Sequence, residues 1–234
     1  MAQPLVHLRP AAPPRGAIFD MDGLLVDTEP VHAAAYALAF REAGLHLDPE
    51  EYRRHVTLAG GTIRDLYRAC GGTPDGWDRV FARKCERFRQ VIAAEVALLP
   101  GVTALLAALA RRGTPCLLAT GSSRFNADVV LGRFGLGRHF PLVLTGDDVR
   151  RAKPDPEVFY RAAAALGLDP GECVSFEDSP KGVRAAAEAG VPCVAVPTAW
   201  TRGGDFTGAA LVLDSLGEVT PALLESLWIA GREL

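Results

Sequence analysis

The sequence has no run of apolar residues long enough to cross a membrane. None of its 234 residues belongs to a stretch near the roughly 18 apolar residues of a spanning helix, and residues 1–15 hold no continuous apolar segment of a secretory signal. Excess positive charge is also missing, since the formal net charge is −3, and this argues against a nucleic-acid-binding surface. We therefore expect neither membrane nor nucleic-acid partners.

The sequence contains few cysteine and lysine residues, and their spacing and positions are informative. The five cysteines form no Cys-x-x-Cys pair, and an odd number without metal-ligand spacing fits reduced thiols in a cytoplasmic protein. Arginine supplies 22 of the 25 basic residues, so that lysine occurs only at Lys84, Lys153 and Lys181. Chance can place three lysines anywhere, but these are positions where an ammonium group could have a specific use.

Short apolar runs recur along the chain and end in polar or small residues. Continuous instead of alternating hydrophobicity indicates strands buried on both faces, as in a parallel sheet. Helical patterns alternate with most of the runs, so we predict an α/β fold with a doubly wound, parallel-sheet, Rossmann-like core. The runs are AIFD (17–20), CLLAT (116–120), LVLT (142–145), CVSFED (173–178), CVAVP (193–197) and the weaker LVL (211–213).

One long segment interrupts this alternation. Residues 30–98 contain helical patterns and no strand-like run, which predicts an all-helical cap domain inserted after the first strand. The Rossmann-like core then consists of residues 16–29 and 99–234. Residues 1–15, with four prolines, are expected to form a loose N-terminal leader.

The residues best suited to chemistry follow the predicted strands. In an open parallel sheet, ligands bind beyond the carboxyl ends of the strands, so these side chains should share one cleft. A divalent cation would neutralise the acidic members, and hard oxygen ligands suit Mg²⁺. The candidates are Asp20, Asp22, Thr120, Gly121, Lys153, Glu177 and Asp178.

Each of these candidates also fits a plainer structural role. An Asp after a strand often caps a helix or forms a turn, and Thr120 could begin a helix in the same way. Lys153 before Pro154 could lie at the surface, and Glu177 and Asp178 could cap the helix that starts at Pro180. Capping alone does not explain why four such sites follow successive buried strands in order.

Four motifs in order carry a resemblance to a known family. FDMDGLLVDTEPVH, ATGSS, AKPDPEVF and FEDSPKGVRAAAEAG resemble the four motifs of the haloacid dehalogenase-like superfamily of phosphoryl-transfer enzymes. The chain is most similar to the branch that contains β-phosphoglucomutase and small sugar-phosphate phosphatases with a helical cap. The resemblance covers about residues 16–200.

The resemblance implies a role for each core residue. Asp20 would be the nucleophile that forms an aspartyl-phosphate, and Asp22 the general acid and then the base that activates water. Thr120 and the N–H of Gly121 would bind phosphoryl oxygens, while Lys153 would stabilise their growing charge. Asp22 must be protonated for the first step, and we expect crowding by Asp20 to favour that state.

The resemblance also implies a magnesium ion. Its ligands would be the Asp20 carboxylate, the backbone carbonyl of Asp22, and Asp178, with Glu177 nearby or bound through water. Mg²⁺ is accordingly the one cofactor that we expect.

The cap should decide between a phosphatase and a phosphomutase, because it touches the rest of the substrate. In β-phosphoglucomutase a cap loop supplies an arginine to the distal phosphate, and LAGGTIRDLY corresponds to that loop. Gly61, Thr62 and Arg64 are then candidate substrate contacts, but Ile63 stands where the arginine would be. Lys84 falls where the mutase has a basic residue, while the plainer interpretation of Lys84, as of Arg64, is a solvated helix residue.

We therefore predict a phosphatase that acts on a small phosphate monoester, with a phosphomutase as the alternative. A binding or regulatory module on a retired enzyme fold is a further alternative, which loss of the core residues would have indicated. The protein is expected to be a monomer or a weak dimer, since the C-terminal PALLESLWIA has the pattern of an amphipathic helix.

Movement of the cap is a separate expectation. The linkers at residues 27–30 and 98–101 are short and carry Pro or Gly, so we predict hinges that open for substrate and close to exclude water. His32 is expected to be a helix residue packed at the domain junction, with a contact to the Asp22 backbone as the alternative. Trp200 could wall the entrance to the cleft or simply pack at its edge.

Overall fold

A six-stranded parallel sheet forms the centre of the molecule. The computed structural model describes residues 14–92 and 96–229. The strand order is β3-β2-β1-β4-β5-β6, and every neighbouring pair is parallel, which confirms the predicted doubly wound sheet. The strands are β1 (Gly16–Phe19), β2 (Cys116–Ala119), β3 (Leu142–Leu144), β4 (Cys173–Glu177), β5 (Cys193–Ala195) and β6 (Leu211–Val212).

The burial of each strand follows its place in the sheet. All residues of β1, β2, β4 and β5 are buried, because helices cover both faces of the central strands. The edge strands β3 and β6 are short and partly exposed, so their apolar runs are the weaker ones in the sequence. The two faces form separate apolar clusters, one around Phe19 and Phe176 and the other around Ile18 and Phe159.

Helices follow the strands as the sequence patterns predict. The helix after β4, for example, begins where the Ser179 hydroxyl accepts the Gly182 N–H, and it ends before Gly190. An N-terminal Ser and a C-terminal Gly are the usual signals for such boundaries. These helices are α5 (Val102–Arg112), α6 (Arg124–Phe134), α7 (Glu157–Leu166), α8 (Pro180–Ala189) and α9 (Pro221–Ile229).

A group of helices lies between β1 and β2. Their aromatic residues, including Tyr36, Phe40 and Tyr52, form a third apolar cluster. We call the segment from Glu29 to Ile92 the helical insert. It contains α1 (Glu29–Glu42), α2 (Pro49–Tyr52), a π-helical turn (Arg53–Leu58), α3 (Ile63–Ala69) and α4 (Trp77–Ile92). Residues 93–95, which belong to the predicted cap domain, lie outside the described residues.

The chain segments that flank the helical insert pair with each other. Val26 and Leu98 form an isolated antiparallel bridge, and the Leu99 N–H donates to the Leu25 carbonyl at 2.9 Å. The predicted linkers therefore enter and leave the insert side by side. This arrangement supports the proposal that they act as a two-stranded hinge.

The chain ends are described in part. Residues 1–13 of the predicted leader lie outside the described residues, as do residues 230–234. Helix α9 agrees with the predicted C-terminal helix. Within the described part of the chain, no helix has the length and apolar character needed to span a membrane.

Candidate active site

The sheet order brings the predicted residues together at one edge. Strand β1 lies between β2 and β4, so Asp20 after β1 has Thr120 on one side and Glu177 and Asp178 on the other. All four are buried. The order in which the chain adds strands to the sheet reverses between β1 and β4, and such a switch point is where α/β sheets bind ligands.

Lys153 joins two of these acids. It lies in the loop between β3 and α7, and its Nζ donates to Asp20 Oδ1 at 2.8 Å and to Glu177 Oε1 at 2.6 Å. A third bond goes to the Ala119 carbonyl at 2.8 Å. Because an ammonium group has three N–H donors, Lys153 has no spare donor here. It holds the Asp20 carboxylate in place, and it can reach a phosphoryl oxygen only by sharing or exchanging one bond.

Burial is the largest influence on the pKa values of this cluster. It raises the pKa of Asp20, and the charge of Asp22 adds to that increase, while the charge of Lys153 opposes it. It raises the pKa of Glu177 to about 8, again against Lys153, with Asp20 adding to the increase. The pKa of Lys153 is raised in spite of burial, because Asp20 and Glu177 stabilise the ammonium form.

Three carboxylates form a compact set that could hold a cation. One oxygen from each of Asp20, Glu177 and Asp178 lies within 4.8 Å of the others. Glu177 Oε2 is buried without a hydrogen-bond partner in the described structure. Burial and the charges of Asp20 and Glu29 also raise the pKa of Asp178 well above its usual value. A buried all-oxygen set with an unpartnered atom fits a hard divalent cation.

Two glycines make room for these carboxylates. A Cβ atom on Gly23, whose φ is +79°, would lie 2.1 Å from Asp178 Oδ2. A Cβ atom on Gly182 would lie 1.9 Å from Glu177 Oε2. Both distances are impossible for real atoms, so these positions must lack side chains for the acids to occupy the cleft.

Replacement of Gly182 by alanine should therefore displace Glu177. We expect Gly182→Ala to lower the free energy of unfolding by about 1–3 kcal/mol, as overpacking does, and to weaken cation binding. Gly132→Ala is the matched control, because Gly132 is also a helical glycine but has nothing within 4 Å of an added Cβ. That control should be neutral or stabilising by about 0.5–1 kcal/mol. Urea unfolding of both variants measures the difference, and equal effects would contradict the packing argument.

Asp22 is held by a ring of donors. Its Oδ1 accepts from the Thr28 hydroxyl at 2.6 Å, and its Oδ2 from the Ser122 hydroxyl at 2.7 Å and the Thr120 hydroxyl at 3.2 Å. Burial alone would raise the pKa of Asp22, but the contacts with His32, Thr28 and Ser122 outweigh it and hold the pKa well below the usual range.

The expected protonation of Asp22 is therefore wrong for this arrangement. The donors around Asp22 favour the carboxylate, and their effect exceeds that of burial, which acts in the opposite direction. Asp22 can act as a general acid only after it has gained a proton and exchanged one of these bonds for the ester oxygen. Thr28 directly precedes the helical insert, so movement of the insert could bring about that exchange.

His32 and Lys84 extend the contacts of Asp22 into the helical insert. His32 Nε2 lies 3.6 Å from Asp22 Oδ1, and its ring stacks on Phe88 with centroids 4.0 Å apart. Lys84 Nζ lies 2.8 Å from His32 Nδ1. Lys84 is only 5% exposed and lies over the rings of Tyr36 and Phe88. It is therefore not a solvated helix lysine, and His32 contacts the Asp22 side chain and not its backbone.

Glu29 is a site residue that sequence reasoning missed. Its Oε2 accepts from the Thr57 hydroxyl at 3.0 Å, and its charge acts on both Asp178 and Tyr52. It is the first residue of α1, in the helical insert. Its position in the first motif, directly after Asp27 and Thr28, could have indicated a role in the site. That stretch also has the pattern of a linker, which is how it was interpreted.

The other predicted residues of the cap have local roles in the structure. The Thr62 hydroxyl caps α3 by accepting the Asp65 N–H at 3.1 Å, and the Gly61 N–H donates to the His55 carbonyl. The guanidinium carbon of Arg64 lies 5.8 Å from the Trp77 ring centroid. No contact links these three residues to the carboxylates within the described structure, so their substrate roles stay predictions.

The predicted phosphate-binding loop follows β2. The Thr120 hydroxyl accepts the Ser122 N–H at 3.0 Å as well as donating to Asp22. Gly121 is exposed, and its N–H has no partner among residues 14–92 and 96–229. This N–H precedes α6, where the positive end of the helix dipole favours an anion. The geometry thus leaves Gly121 available to a phosphoryl oxygen.

Comparisons with known proteins agree with this site. The family model for haloacid dehalogenase-like hydrolases matches residues 14–190. The plasmid CbbY protein of Cupriavidus necator is 35% identical over 218 residues, which cover 86% of this chain and 85% of that protein. The fructose-1-phosphate phosphatase YqaB of Escherichia coli is 34% identical over 184 residues, covering 77% and 95%.

A solved structure is similar to this chain over most of its length. A CbbY variant from Rhodobacter sphaeroides in complex with xylulose-1,5-bisphosphate is 32% identical and superposes with a TM-score of 0.81. The match covers 90% of this chain and 99% of that one.

Proposed function

This chain belongs to the haloacid dehalogenase-like hydrolase family, and we propose that it is a magnesium-dependent phosphatase that hydrolyses a small sugar phosphate through an aspartyl-phosphate on Asp20. The family and its relative YqaB, a named phosphatase, show a phosphoric monoester hydrolase. The proposal adds to this the metal, the covalent intermediate and the class of substrate.

The contact between Lys153 and Asp20 is the observation that carries the proposal. A buried ammonium 2.8 Å from Asp20 Oδ1 fixes one carboxylate oxygen and leaves the other free to attack. Asp22 stands two residues further on, beside Thr120 and Ser122. A nucleophile, an acid–base group and a free N–H at Gly121 thus meet at one sheet edge, as phosphoryl transfer requires.

The reaction would proceed in two displacements. Asp20 forms a bond to phosphorus as the bond to the ester oxygen breaks, and Asp22 gives that oxygen a proton so that the alcohol leaves. Asp22, now a carboxylate, then accepts a proton from water as the water oxygen attacks phosphorus and the bond between the Asp20 oxygen and phosphorus breaks. Inorganic phosphate leaves and Asp20 is regenerated. The covalent intermediate divides one difficult displacement into two easier ones.

Asp20, Asp178 and the backbone carbonyl of Asp22 would hold the metal, with Glu177 close by. When bound, Mg²⁺ would supply positive charge that lowers the repulsion between the phosphate and the acids. Lys153 keeps Asp20 oriented throughout, and the Gly121 N–H would bind a phosphoryl oxygen.

The residues that line the cleft support the proposal that the substrate is a sugar phosphate. Glu29 and His32 reach the site from the helical insert, and both can hydrogen-bond a hydroxyl group. YqaB is named for fructose 1-phosphate, and the CbbY variant binds xylulose-1,5-bisphosphate. We infer that this chain accepts a phosphorylated sugar of comparable size.

A substrate panel tests the proposal. Fructose 1-phosphate, xylulose 1,5-bisphosphate and β-glucose 1-phosphate with a trace of the 1,6-bisphosphate would be incubated with protein and Mg²⁺. Free phosphate and sugar isomers would be followed together. Release of phosphate with a clear preference within the panel supports a sugar phosphatase. Glucose 6-phosphate without free phosphate would instead establish the phosphomutase alternative.

The response to Mg²⁺ should depend on pH. The raised pKa values of Asp20, Glu177 and Asp178 mean that the metal-free folded protein keeps protons that the unfolded chain loses. The free energy of unfolding should then fall as the pH rises from about 4.5 towards about 8. Mg²⁺ competes with those protons. Saturating Mg²⁺ should therefore raise the melting temperature more at pH 8 than at pH 6.

Scanning calorimetry at the two pH values measures this difference. Asp178→Asn, which removes one predicted ligand, should lose most of the Mg²⁺ effect at both. An equal Mg²⁺ effect at pH 6 and pH 8 in the unaltered protein would contradict the protonation argument.

A further inference from the structure

Arg53 connects the helical insert to the core. It follows α2, and its Nε donates to the Trp200 carbonyl at 2.9 Å while its Nη2 donates to the Arg202 carbonyl at 2.9 Å. Its Nη1 pairs with Glu50 in its own segment at 3.0 Å. The planar guanidinium can serve two neighbouring carbonyls at once because its donors form a rigid fork.

The core segment that accepts these bonds is itself braced. We call residues 198–204 the acceptor loop. The Thr198 N–H donates to the Thr201 hydroxyl at 2.9 Å, and the Arg202 N–H donates to the Thr198 carbonyl at 2.8 Å. A Cβ atom on Gly204 would lie 2.5 Å from Pro180 Cγ. The acceptor loop therefore packs against the first residue of α8, two residues after Asp178.

The residue before Arg53 also contacts the acceptor loop. Tyr52 is buried, and its ring meets that of Trp200 edge-on with centroids 6.5 Å apart. Burial raises the pKa of Tyr52 well above its usual value, and the charges of Glu29, Tyr36 and Asp22 add to the increase. Tyr52 and Arg53 thus both contact the acceptor loop.

We propose that Arg53 is a positioning residue that latches the helical insert onto the acceptor loop and so holds Tyr52, Glu29 and His32 over the carboxylates. Other contacts also join the insert to the core, where His32 approaches Asp22, where Arg89 lies over the Phe125 ring and where Arg133 donates to the Ile92 carbonyl. The paired linkers beside Val26 and Leu98 allow hinge movement. The two carbonyl bonds lie away from that hinge in the chain and can be broken without unfolding either part. The effect on turnover rests on the proposed function, whereas the latch itself does not.

Fluorescence of Trp200 tests the latch without any substrate. The chain has three tryptophans, so Trp77→Phe with Trp228→Phe leaves Trp200 as the reporter. In that background, Arg53→Gln should increase the quenching of Trp200 by acrylamide about twofold, because the insert opens more often. Arg53→Lys should behave in the same way, since an ammonium is a compact group that cannot span two carbonyls as a fork does.

Arg54→Gln is the matched control. Arg54 is the exposed next residue and loses the same charge, but it makes no side-chain bond to the core in the described structure. Its Trp200 quenching should equal that of the parent. Unchanged quenching in both Arg53 variants would overturn the proposal, as would an equal increase in Arg54→Gln. Circular dichroism and melting curves show whether each variant is folded.

Turnover supplies the second readout. With the best sugar phosphate of the panel, Arg53→Gln should lower kcat/KM about tenfold, mainly through KM, because closure over the substrate costs more. Arg54→Gln should keep the parent values. If the parent releases no phosphate, the proposed function fails while the fluorescence result still decides the latch. If the parent is active and Arg53→Gln matches it in both readouts, the latch alone is wrong.

Discussion

Asp20→Asn should abolish phosphate release while the protein remains folded. An amide cannot act as the nucleophile, and loss of a group that forms the covalent intermediate typically lowers kcat by about 10⁴-fold or more. The amide oxygen that this substitution introduces can still accept the bond from Lys153 Nζ. Lys153 keeps Glu177 as its charged partner, and the repulsion among the three buried acids is reduced, so the melting temperature should be unchanged or higher.

The control for this variant is a distant acid. Asp128→Asn alters an exposed residue of α6 and should keep the activity of the parent. Phosphate release would be followed with the preferred sugar phosphate, and stability by calorimetry. Substantial activity in Asp20→Asn would show that water attacks the ester directly and would remove the covalent step from the account.

Lys153→Met should be the most destabilising single substitution at the site. It leaves Asp20 and Glu177 buried without their shared cation, and breaking a buried ion pair in this way costs about 3–5 kcal/mol. Phosphate release should also fall by about 10²–10³-fold, because Asp20 is no longer oriented and one positive charge is lost. Urea unfolding and steady-state kinetics measure the two effects.

An exposed ion pair gives the matched comparison. Arg112 and Glu225 are joined at 2.9 Å, with side chains 37% and 44% exposed. Arg112→Met should cost no more than about 1 kcal/mol, as exposed pairs do, and should leave activity unchanged. Equal losses of stability in Lys153→Met and Arg112→Met would mean that the buried contacts of Lys153 with Asp20 and Glu177 add little to the free energy of unfolding. Addition of Glu177→Gln to Lys153→Met should recover part of the lost stability.

The central elements of the fold could be predicted because their signals are local. Each buried strand carries a continuous apolar run, and α8 has Ser179 before it and Gly190 after it. The sheet then brings the residues that follow different strands to a common edge. Asp20, Lys153 and Glu177, which are far apart in sequence, could therefore be placed in one cleft from the sequence alone.

The contacts that cross from the helical insert to the core could not be predicted in the same way. They depend on how two folded parts meet, and no periodicity encodes that. The ring of donors that holds Asp22 ionised includes Thr28 and is extended by His32 from the insert, so its effect on the pKa was missed. Glu29 was missed for the same reason. Thr62 shows the opposite case, since its capping role is local and follows from its position before α3.

A chemical trap at Asp20 tests the central claim most directly. The protein would be mixed with Mg²⁺ and its preferred sugar phosphate, quenched in acid within one turnover, and digested for peptide mass spectrometry. Our account predicts a phosphoryl group on the peptide that contains Asp20, at a level that falls as the substrate is consumed and that is absent in Asp20→Asn. Rapid phosphate release with no phosphoryl group on that peptide at any quench time, or a group on another residue, would contradict it.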